Sequence, residues 1–316
     1  MRRFVAVIAA FAAAHAASAV TLYAITTTNL VRFDSDNPGA VTVIGPHGLP
    51  EAGAYGVNYL VYHPLERAFF GLYYTSPQPV HFQMSLIRFN PSTGVGLTVA
   101  DLGSSAPNLN VYESLEYVST QQSMLVSRGP GGSSDSFLRI GPTGATLALC
   151  SNGRDNDYTV FDSARSLFYT IDPNGVAQLT ASGIVNCITD NLGPLGVTLG
   201  DLAYHPADDA IYAVDYLTNR LHRLKTTDGG APFTRTDIGP VGATTIRGLA
   251  VIPPACVADL NADGVVSTPD LVQFLGDFGQ QPIPGGPAPA ADFNFDTVVD
   301  TADLAFFLGR FGGQCR

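Results

Sequence analysis

The 316-residue sequence contains no tryptophan and only one lysine, Lys225. The absence of tryptophan weakens a polysaccharide-binding interpretation, although tyrosine can also stack on sugars. Sixteen basic residues stand against 27 acidic residues, which gives a formal net charge of −11. A chain this acidic is repelled by phosphate backbones and anionic lipid surfaces, so nucleic acid is not expected as a partner.

The sequence also lacks the motifs of common catalytic sites. It has no G-x-S-x-G elbow, no H-E-x-x-H helix, no P-loop and no dinucleotide-binding glycine fingerprint, and no C-x-x-C spacing indicates zinc. Six acidic residues could supply the carboxylate pair of a glycoside hydrolase: Glu51, Glu113, Glu116, Asp157, Asp201 and Asp215. Because such a pair forms only in space, the sequence favours a non-catalytic protein and leaves a hydrolase as the alternative.

Long apolar runs are missing outside the N-terminus. Arg2 and Arg3 precede an apolar run over 4–14, which is too short to span a bilayer, and Ala17-Ser18-Ala19 supplies the small residues that signal peptidase requires. We therefore expect a signal peptide over 1–19, no membrane span, and a secreted or cell-surface location. Loss of the two arginines would take the formal charge from −11 to −13.

The four cysteines are Cys150, Cys187, Cys256 and Cys315. In a chain that reaches an oxidising compartment, disulfides are the default, and four cysteines allow three connectivities. The sequence does not choose among them. Pairing within each expected domain favours Cys150–Cys187 and Cys256–Cys315.

Residues 20–254 read as short strands separated by turns, in a pattern that recurs. The strands that open each repeat begin near Val57, Leu115, Tyr158, Leu202 and Leu249, at steps of 58, 43, 44 and 47 residues. A period in the forties with three or four strands per unit is typical of a β-propeller. The sequence predicts about five blades, with a sixth possible inside the long first step, and a β-sandwich or irregular barrel as the competing fold.

The two ends of this region predict how the ring closes. Gly248–Ile252 resembles an opening strand with nothing after it, whereas Leu22–Ile25 and Leu30–Phe33 resemble later strands with no opening strand before them. Joining them completes one blade and removes an exposed sheet edge. The latter two motifs also resemble propeller-like domains of exported bacterial proteins. His63 and His205 precede Pro64 and Pro206 at equivalent positions, which predicts a structural role in a turn.

Two acidic segments near the C-terminus have the spacing of calcium loops. Asp259–Asp270 and Asp292–Asp303 both place oxygen ligands at loop positions 1, 3, 5, 9 and 12, and they lie 33 residues apart. Calcium takes six to eight oxygens, and a backbone carbonyl supplies position 7. The predicted ligands are Asp259, Asn261, Asp263, Val265, Ser267 and Asp270 in the first loop and Asp292, Asn294, Asp296, Val298, Asp300 and Asp303 in the second.

A helix pattern follows each loop. Leu271, Phe274, Leu275 and Phe278 fall at i, i+3, i+4 and i+7, and Leu304, Phe307, Leu308 and Phe311 repeat them 33 residues later. With aspartate at position 12, where EF-hands use glutamate, these loop–helix units resemble dockerin type I repeats. The flanks at Cys256 and Gly312–Cys315 resemble the dockerin variant that ends in Gly and Cys. The resemblance implies two bound Ca²⁺ ions and a cohesin-like partner that docks on the helix faces.

Together these features predict a mainly β chain. A β-propeller over 20–254 is followed by a small α-helical, dockerin-like calcium-binding domain over 255–316. The expected function is an exported binding or display protein that is anchored to a cohesin-like partner, with a propeller ligand of unknown identity as a further expected partner. The alternative is an anchored carbohydrate-active hydrolase with its active site in the propeller channel.

Overall fold

The computed structural model describes most of the chain from residue 19 to residue 313. The described residues are 19–50, 56–64, 66–78, 81–105, 111–118, 123–129, 136–141, 146–151, 157–162, 165–172, 178–183, 189–206, 208–227, 230–252, 257–261, 265–280, 291–293 and 298–313. The predicted signal peptide falls almost entirely outside them. None of the helices in these ranges has the length and apolar character needed to cross a bilayer.

The structure is mainly β, and its strands form five antiparallel sheets within the described ranges. The first sheet contains β1 (Thr21–Ile25), β2 (Asn29–Asp34), β3 (Asn37–Pro46) and β21 (Gly248–Val251). The second contains β4 (Gly56–His63), β5 (Ala68–Gln78), β6 (His81–Phe89) and β7 (Gly96–Ser105). The third contains β8 (Val111–Tyr112), β9 (Glu116–Val118), β10 (Ser123–Gly129), β11 (Ser136–Ile140) and β12 (Thr146–Ser151). The fourth contains β13 (Asp157–Asp162), β14 (Leu167–Asp172), β15 (Gln178–Gly183) and β16 (Thr189–Pro194). The fifth contains β17 (Leu199–His205), β18 (Ala210–Asp215), β19 (Arg220–Thr227) and β20 (Gly230–Pro240).

The five sheets are arranged as the blades of a propeller, numbered here 1 to 5 in that order. Their innermost strands, β21, β4, β9, β13 and β17, contact one another in succession, and β17 contacts β21 to close the ring. The predicted propeller arrangement is therefore confirmed. The long first step of the sequence repeat holds the extended strands β5, β6 and β7 of a single blade.

Both ends of the propeller region complete blade 1, as predicted. Strand β21 pairs antiparallel with β1, with Leu22 opposite Val251 and Ile25 opposite Gly248. Strand β1 then pairs with β2 on its other side. Because Leu22–Ile25 of β1 have a paired strand on each side, the first strand of the region is not left as a sheet edge.

The apolar residues of the strands fill the spaces between neighbouring blades. Separate buried clusters join blades 2 and 3, blades 3 and 4, blades 4 and 5, and blades 5 and 1. Blades 1 and 2 share a cluster that also includes residues of the C-terminal segment. Face-to-face burial of sheets by alternating side chains is what the period-2 pattern of the strands requires.

The turn after the innermost strand is built the same way in blades 2 and 5. The Nδ1 atom of His63 accepts a hydrogen bond from the backbone N–H of Glu66 at 3.2 Å, and Nδ1 of His205 accepts one from Asp208 at 3.2 Å. Both histidines are buried. The predicted structural role of the two histidines in a turn is confirmed.

Two short helices follow the propeller: α1 (Thr268–Asp277) and α2 (Thr301–Leu308). Each begins immediately after the predicted position 9 of its loop, at Ser267 and Asp300. Asp300 caps its helix because its carboxylate accepts a 2.7 Å hydrogen bond from the N–H of Ala302. A short helix therefore follows each predicted loop, where the sequence pattern predicts it.

Backbone hydrogen bonds join the two loop–helix units, and the same pair of bonds occurs once from each loop to the other unit. Val266 in the first loop exchanges hydrogen bonds with the segment after α2, donating to Gly313 at 2.9 Å and accepting from Gly312 at 2.7 Å. Val299, 33 residues after Val266, does the same with Gly279 at 2.8 Å and Gln280 at 3.3 Å after α1. Each loop is therefore held by the helix end of the other unit.

Candidate functional site

Backbone groups of the first predicted calcium loop are hydrogen-bonded to the start of α1. Asp270, at position 12, is completely buried. Its Oδ1 accepts hydrogen bonds from the backbone N–H groups of Leu260 at 2.7 Å and Asn261 at 3.0 Å, and its Oδ2 accepts one from Ser267 at 2.7 Å. Asp270 therefore closes the loop by joining positions 2, 3 and 9 to the helix.

The second loop closes in the same way. Asp303 is also completely buried, and it accepts hydrogen bonds from the N–H of Phe293 at 2.7 Å and of Asp300 at 2.9 Å. Asp292, at position 1, is buried beside this carboxylate's partner Phe293.

The oxygen donors of the two predicted loops are of the types that a hard divalent cation takes. In the described part of the chain, Asp270 forms no ion pair with an arginine or lysine, so the structure supplies it with N–H donors but no side-chain cation. A buried carboxylate is stable only when hydrogen-bonded or neutralised, and carboxylate, amide, hydroxyl and carbonyl oxygens are the donors that Ca²⁺ takes.

Part of the predicted ligand set lies outside the described residues. These ligands are Asp263, Asn294 and Asp296. Among the described side chains, no group of three or more His, Cys, Asp or Glu residues converges on one point. The described ligands are Asp259, Asn261, Val265, Ser267, Asp270, Asp292, Val298, Asp300 and Asp303, and their calcium binding stays a prediction.

The apolar stripe of each helix divides into a buried and an exposed part. Phe274 and Phe307 are completely buried and stack against each other with ring centroids 5.7 Å apart. Both also stack on Phe293, at 5.7 and 6.2 Å. Leu271 and Leu304 are partly buried. The last two members of each stripe are exposed as two matched pairs: Leu275 with Phe278, and Leu308 with Phe311.

The buried face of the helices packs on the propeller. Val257, Phe274, Phe293 and Phe307 belong to the same buried cluster as residues of blades 1 and 2. The exposed pairs Leu275–Phe278 and Leu308–Phe311 lie outside this cluster, as do the exposed Val265 and Val272, and we call the two pairs the paired apolar surface.

Sequence reasoning missed Arg67, which joins the propeller to the C-terminal units. Its Nη2 donates a 2.9 Å hydrogen bond to the carbonyl of Val257, and its guanidinium lies 5.7 Å from the centre of the Phe293 ring. Burial lowers the pKa of Arg67. The sequence indicated only that Arg67 lies in a turn of the repeat, at the position that Ser166 and Asp209 occupy in other blades. The three residues have φ values of 48°, 55° and 49°.

Sequence reasoning also missed a pocket at the end of the ring where the innermost strands begin. The cavity has a volume of about 350 Å³. Its wall includes Asn58 at the start of β4, Tyr158 at the start of β13, Asp201 in β17, Tyr216 and Asn219 in the turn between β18 and β19, and Arg247 before β21. Four blades thus contribute to one pocket, which we call the ring pocket.

Several charged and polar groups around the ring pocket affect the pKa of the Tyr158 hydroxyl. Burial raises the pKa of Tyr158, the carboxylates of Asp157 and Asp201 and the phenol of Tyr216 raise it further, and the Arg247 guanidinium lowers it. These groups therefore lie close enough to Tyr158 to affect its ionisation. At neutral pH Tyr158 is a neutral donor and acceptor.

Two of the acidic residues proposed from the sequence lie near enough to influence each other's charge. Burial raises the pKa of Asp201 to about 7. Burial also raises the pKa of Glu116 well above its usual value, and the Asp201 charge raises it further. Of these two carboxylates, only that of Asp201 is among the described residues lining the ring pocket.

Asp201 also has a clear structural task. Its Oδ2 accepts hydrogen bonds from the N–H of Leu249 at 2.8 Å and of Leu60 at 3.1 Å, which lie in blades 1 and 2. Asp215, by contrast, caps the turn after β18 by accepting from the N–H of Leu217 at 2.9 Å. Glu51 lies outside the described residues.

The predicted disulfides are not tested by the described residues. Cys150 lies in β12, where its backbone pairs with Phe137. Cys187, Cys256 and Cys315 fall outside the described ranges. Both pairings stay predictions.

No protein-family model matches the sequence, and no curated protein matches it. Solved structures similar to it include a nidogen/laminin complex (TM-score 0.48, 12% identity, 74% of this chain and 98% of that chain) and TolB from Acinetobacter baumannii (TM-score 0.48, 12% identity, 74% and 67%). A PQQ-bound aldose sugar dehydrogenase from Streptomyces coelicolor is similar over 71% of this chain and 79% of that chain, at 12% identity and TM-score 0.46. Likenesses at these identities concern fold alone.

Proposed function

We propose that the chain is an exported, non-catalytic binding or display protein that is anchored to a cohesin-like partner through two calcium-loaded loop–helix units. The single observation that carries this proposal is the duplicated geometry of the units. In both, a fully buried position-12 aspartate closes the loop, and an apolar pair on the following helix and turn faces solvent.

Calcium would act on the loops rather than on a substrate. Each loop gathers three or more carboxylates in its sequence, and their mutual repulsion opposes closure unless a cation is bound. Since Val266 and Val299 tie each loop to the other unit, ordering of one loop favours ordering of the other. Loading both loops would therefore hold α1 and α2 in one rigid arrangement.

The paired apolar surface supports protein docking. Large exposed apolar side chains that cluster on one face mark interaction sites more often than isolated ones do. Here the opposite face is already buried against blades 1 and 2, so the partner contacts the exposed face alone. Docking would leave the propeller ring accessible for display or binding.

The hydrolase alternative finds less support. A glycoside hydrolase needs two carboxylates that flank a substrate bond, whereas the described lining of the ring pocket includes one, Asp201. Glu116 accepts a hydrogen bond from the N–H of Tyr117 at 2.8 Å. Both groups are thus engaged with the backbone of the ring.

The test measures binding of the full chain to immobilised cohesin modules by biolayer interferometry, in calcium and in excess chelator. We expect binding in calcium that is lost in chelator. Leu308→Asp places a charge on the paired apolar surface and should weaken binding at least about tenfold, which corresponds to about 1.4 kcal/mol.

A matched control is available on the propeller. Val43 in β3 is 59% exposed and Leu308 is 56% exposed, so Val43→Asp makes the same chemical change at a similarly exposed site and should leave binding unchanged. Binding that persists in chelator, or that the two substitutions weaken equally, would contradict the proposed anchoring. Circular dichroism of each variant confirms that it is folded.

A further inference from the structure

We propose that the ring pocket binds a small neutral polyol of monosaccharide size. The inference is independent of the anchoring proposed above, because the pocket lies among the strands of blades 1, 2, 4 and 5 and shares no residue with the loop–helix units. Its volume of about 350 Å³ lies within the range of small-molecule sites in proteins.

The lining of the pocket provides both donors and acceptors. The Asn58 amide, the Tyr158 hydroxyl and the Arg247 guanidinium can donate, and the Asp201 carboxylate and the Tyr158 oxygen can accept. A hydroxyl group donates one hydrogen bond and accepts others. A ligand that carries several hydroxyls on a compact ring therefore matches this set of groups better than a purely acidic or purely apolar ligand.

The charge of the pocket also favours a neutral ligand. One guanidinium, that of Arg247, and one carboxylate, that of Asp201, contribute to the wall. The chain as a whole carries a net charge of −11, which disfavours approach of anions. A neutral ligand is not repelled by the negative charge of the chain, and it needs no excess of one charge in the pocket wall.

Tyr216 supplies an aromatic surface at the pocket. Its side chain is 54% exposed although the residue lines the cavity, so one part of it meets solvent and another part faces the cavity. A tyrosine presents a large apolar ring with a polar tip, which suits the C–H face and the hydroxyl edge of a sugar ring. The absence of tryptophan from the chain argues against long polysaccharides but not against one sugar ring on this tyrosine.

The backbone at the pocket is held in an uncommon conformation. Tyr158 and Thr245 line the cavity with φ values of 52° and 55°, in the left-handed region that non-glycine residues rarely adopt. Tyr158 is fixed there by a 3.2 Å hydrogen bond from its N–H to the carbonyl of Glu113 in the neighbouring blade. Such conformations persist where the surrounding structure enforces them, and they cluster at ligand sites.

The experiment uses the full chain with five probes: glucose, galactose, mannose, myo-inositol and sodium glucuronate. Binding is measured by saturation-transfer difference NMR and isothermal titration. We expect saturable binding of at least one neutral probe, weakened about tenfold or more by Tyr216→Ala and less than about threefold by Tyr216→Phe, which keeps the ring.

The adjacent Leu217, which is 71% exposed and does not line the cavity, gives the matched control. Leu217→Ala should bind the probe as the unsubstituted chain does. The proposal is overturned if no neutral probe binds the folded chain, or if Tyr216→Ala binds as well as Leu217→Ala. Binding of glucuronate alone also overturns it, because the pocket would then be an anion site of Arg247.

Discussion

Replacement of Asp270 by alanine tests whether the position-12 carboxylate holds the first loop. The carboxylate accepts three backbone hydrogen bonds, from Leu260, Asn261 and Ser267, at 2.7 to 3.0 Å, and the residue is completely buried. A hydrogen bond to a charged group contributes about 1.5–3 kcal/mol. Because neighbouring bonds are not additive, we expect Asp270→Ala to lower the free energy of unfolding by about 4 kcal/mol.

The assay is urea unfolding of the full chain, followed by circular dichroism, in excess calcium and in excess chelator. If Asp270 closes a calcium loop, the substitution should lower the unfolding midpoint in calcium and should also reduce the difference between the two conditions. Asp277→Asn, at the other end of α1, removes the same charge. It should cost little, since a negative charge at a helix C-terminus is unfavourable.

The result that would refute this reasoning is specific. If Asp270→Ala and Asp277→Asn unfold at the same urea concentration in calcium, the position-12 carboxylate does not hold the loop. If Asp270→Ala shows the full calcium-dependent shift of the unsubstituted chain, its role is structural and not linked to the ion. A second measurement, competition for calcium with a fluorescent chelator, reports the affinity directly.

Three further predictions concern the core, the histidines and the link to the propeller. Phe307→Ala should destabilise the chain by about 3–5 kcal/mol in urea unfolding, whereas Leu308→Ala, at the exposed neighbouring position, should stay within about 0.5 kcal/mol; equal effects would contradict the assignment of the buried face. Burial lowers the pKa of His63 and His205 below 6.5, so the unfolded chain binds protons before the folded chain and stability should fall as the pH drops below 6.5. The doubly substituted chain His63→Asn and His205→Asn should show a weaker pH dependence, and an unchanged profile would refute the argument. Arg67→Met should lower stability by about 2–3 kcal/mol through loss of a charged hydrogen bond and should speed proteolytic release of the C-terminal segment; unchanged proteolysis would show that the contact does not hold the two parts together.

Much of the architecture could be predicted because it depends on local and periodic features. The opening strands expected near Val57, Tyr158 and Leu249 begin at Gly56, Asp157 and Gly248. Strand alternation, turn residues and the 33-residue duplication are visible in one dimension, since each reflects a backbone period or a short loop. Closure of the ring followed from the incomplete blades at the two ends.

Contacts between distant parts of the chain were decided by tertiary structure. The neighbouring residues Phe274 and Leu275 belong to the same apolar stripe in the sequence. Packing on blades 1 and 2 buries Phe274 and leaves Leu275 exposed. Which face of an amphipathic helix meets its own domain depends on where that domain lies, which no local pattern encodes.

The ring pocket shows the same division between sequence and structure. Asp201 was one of six acidic residues that the sequence offered as candidates, and nothing in the sequence distinguished it from the others. Only the closed ring brings it beside Tyr158 and Arg247. The sequence by itself determined the strand repeat, the closing blade and the twin acidic loops, because these follow from residue spacing. The tertiary structure alone decided the ring pocket, because its residues come from separate blades that meet only after the ring has closed.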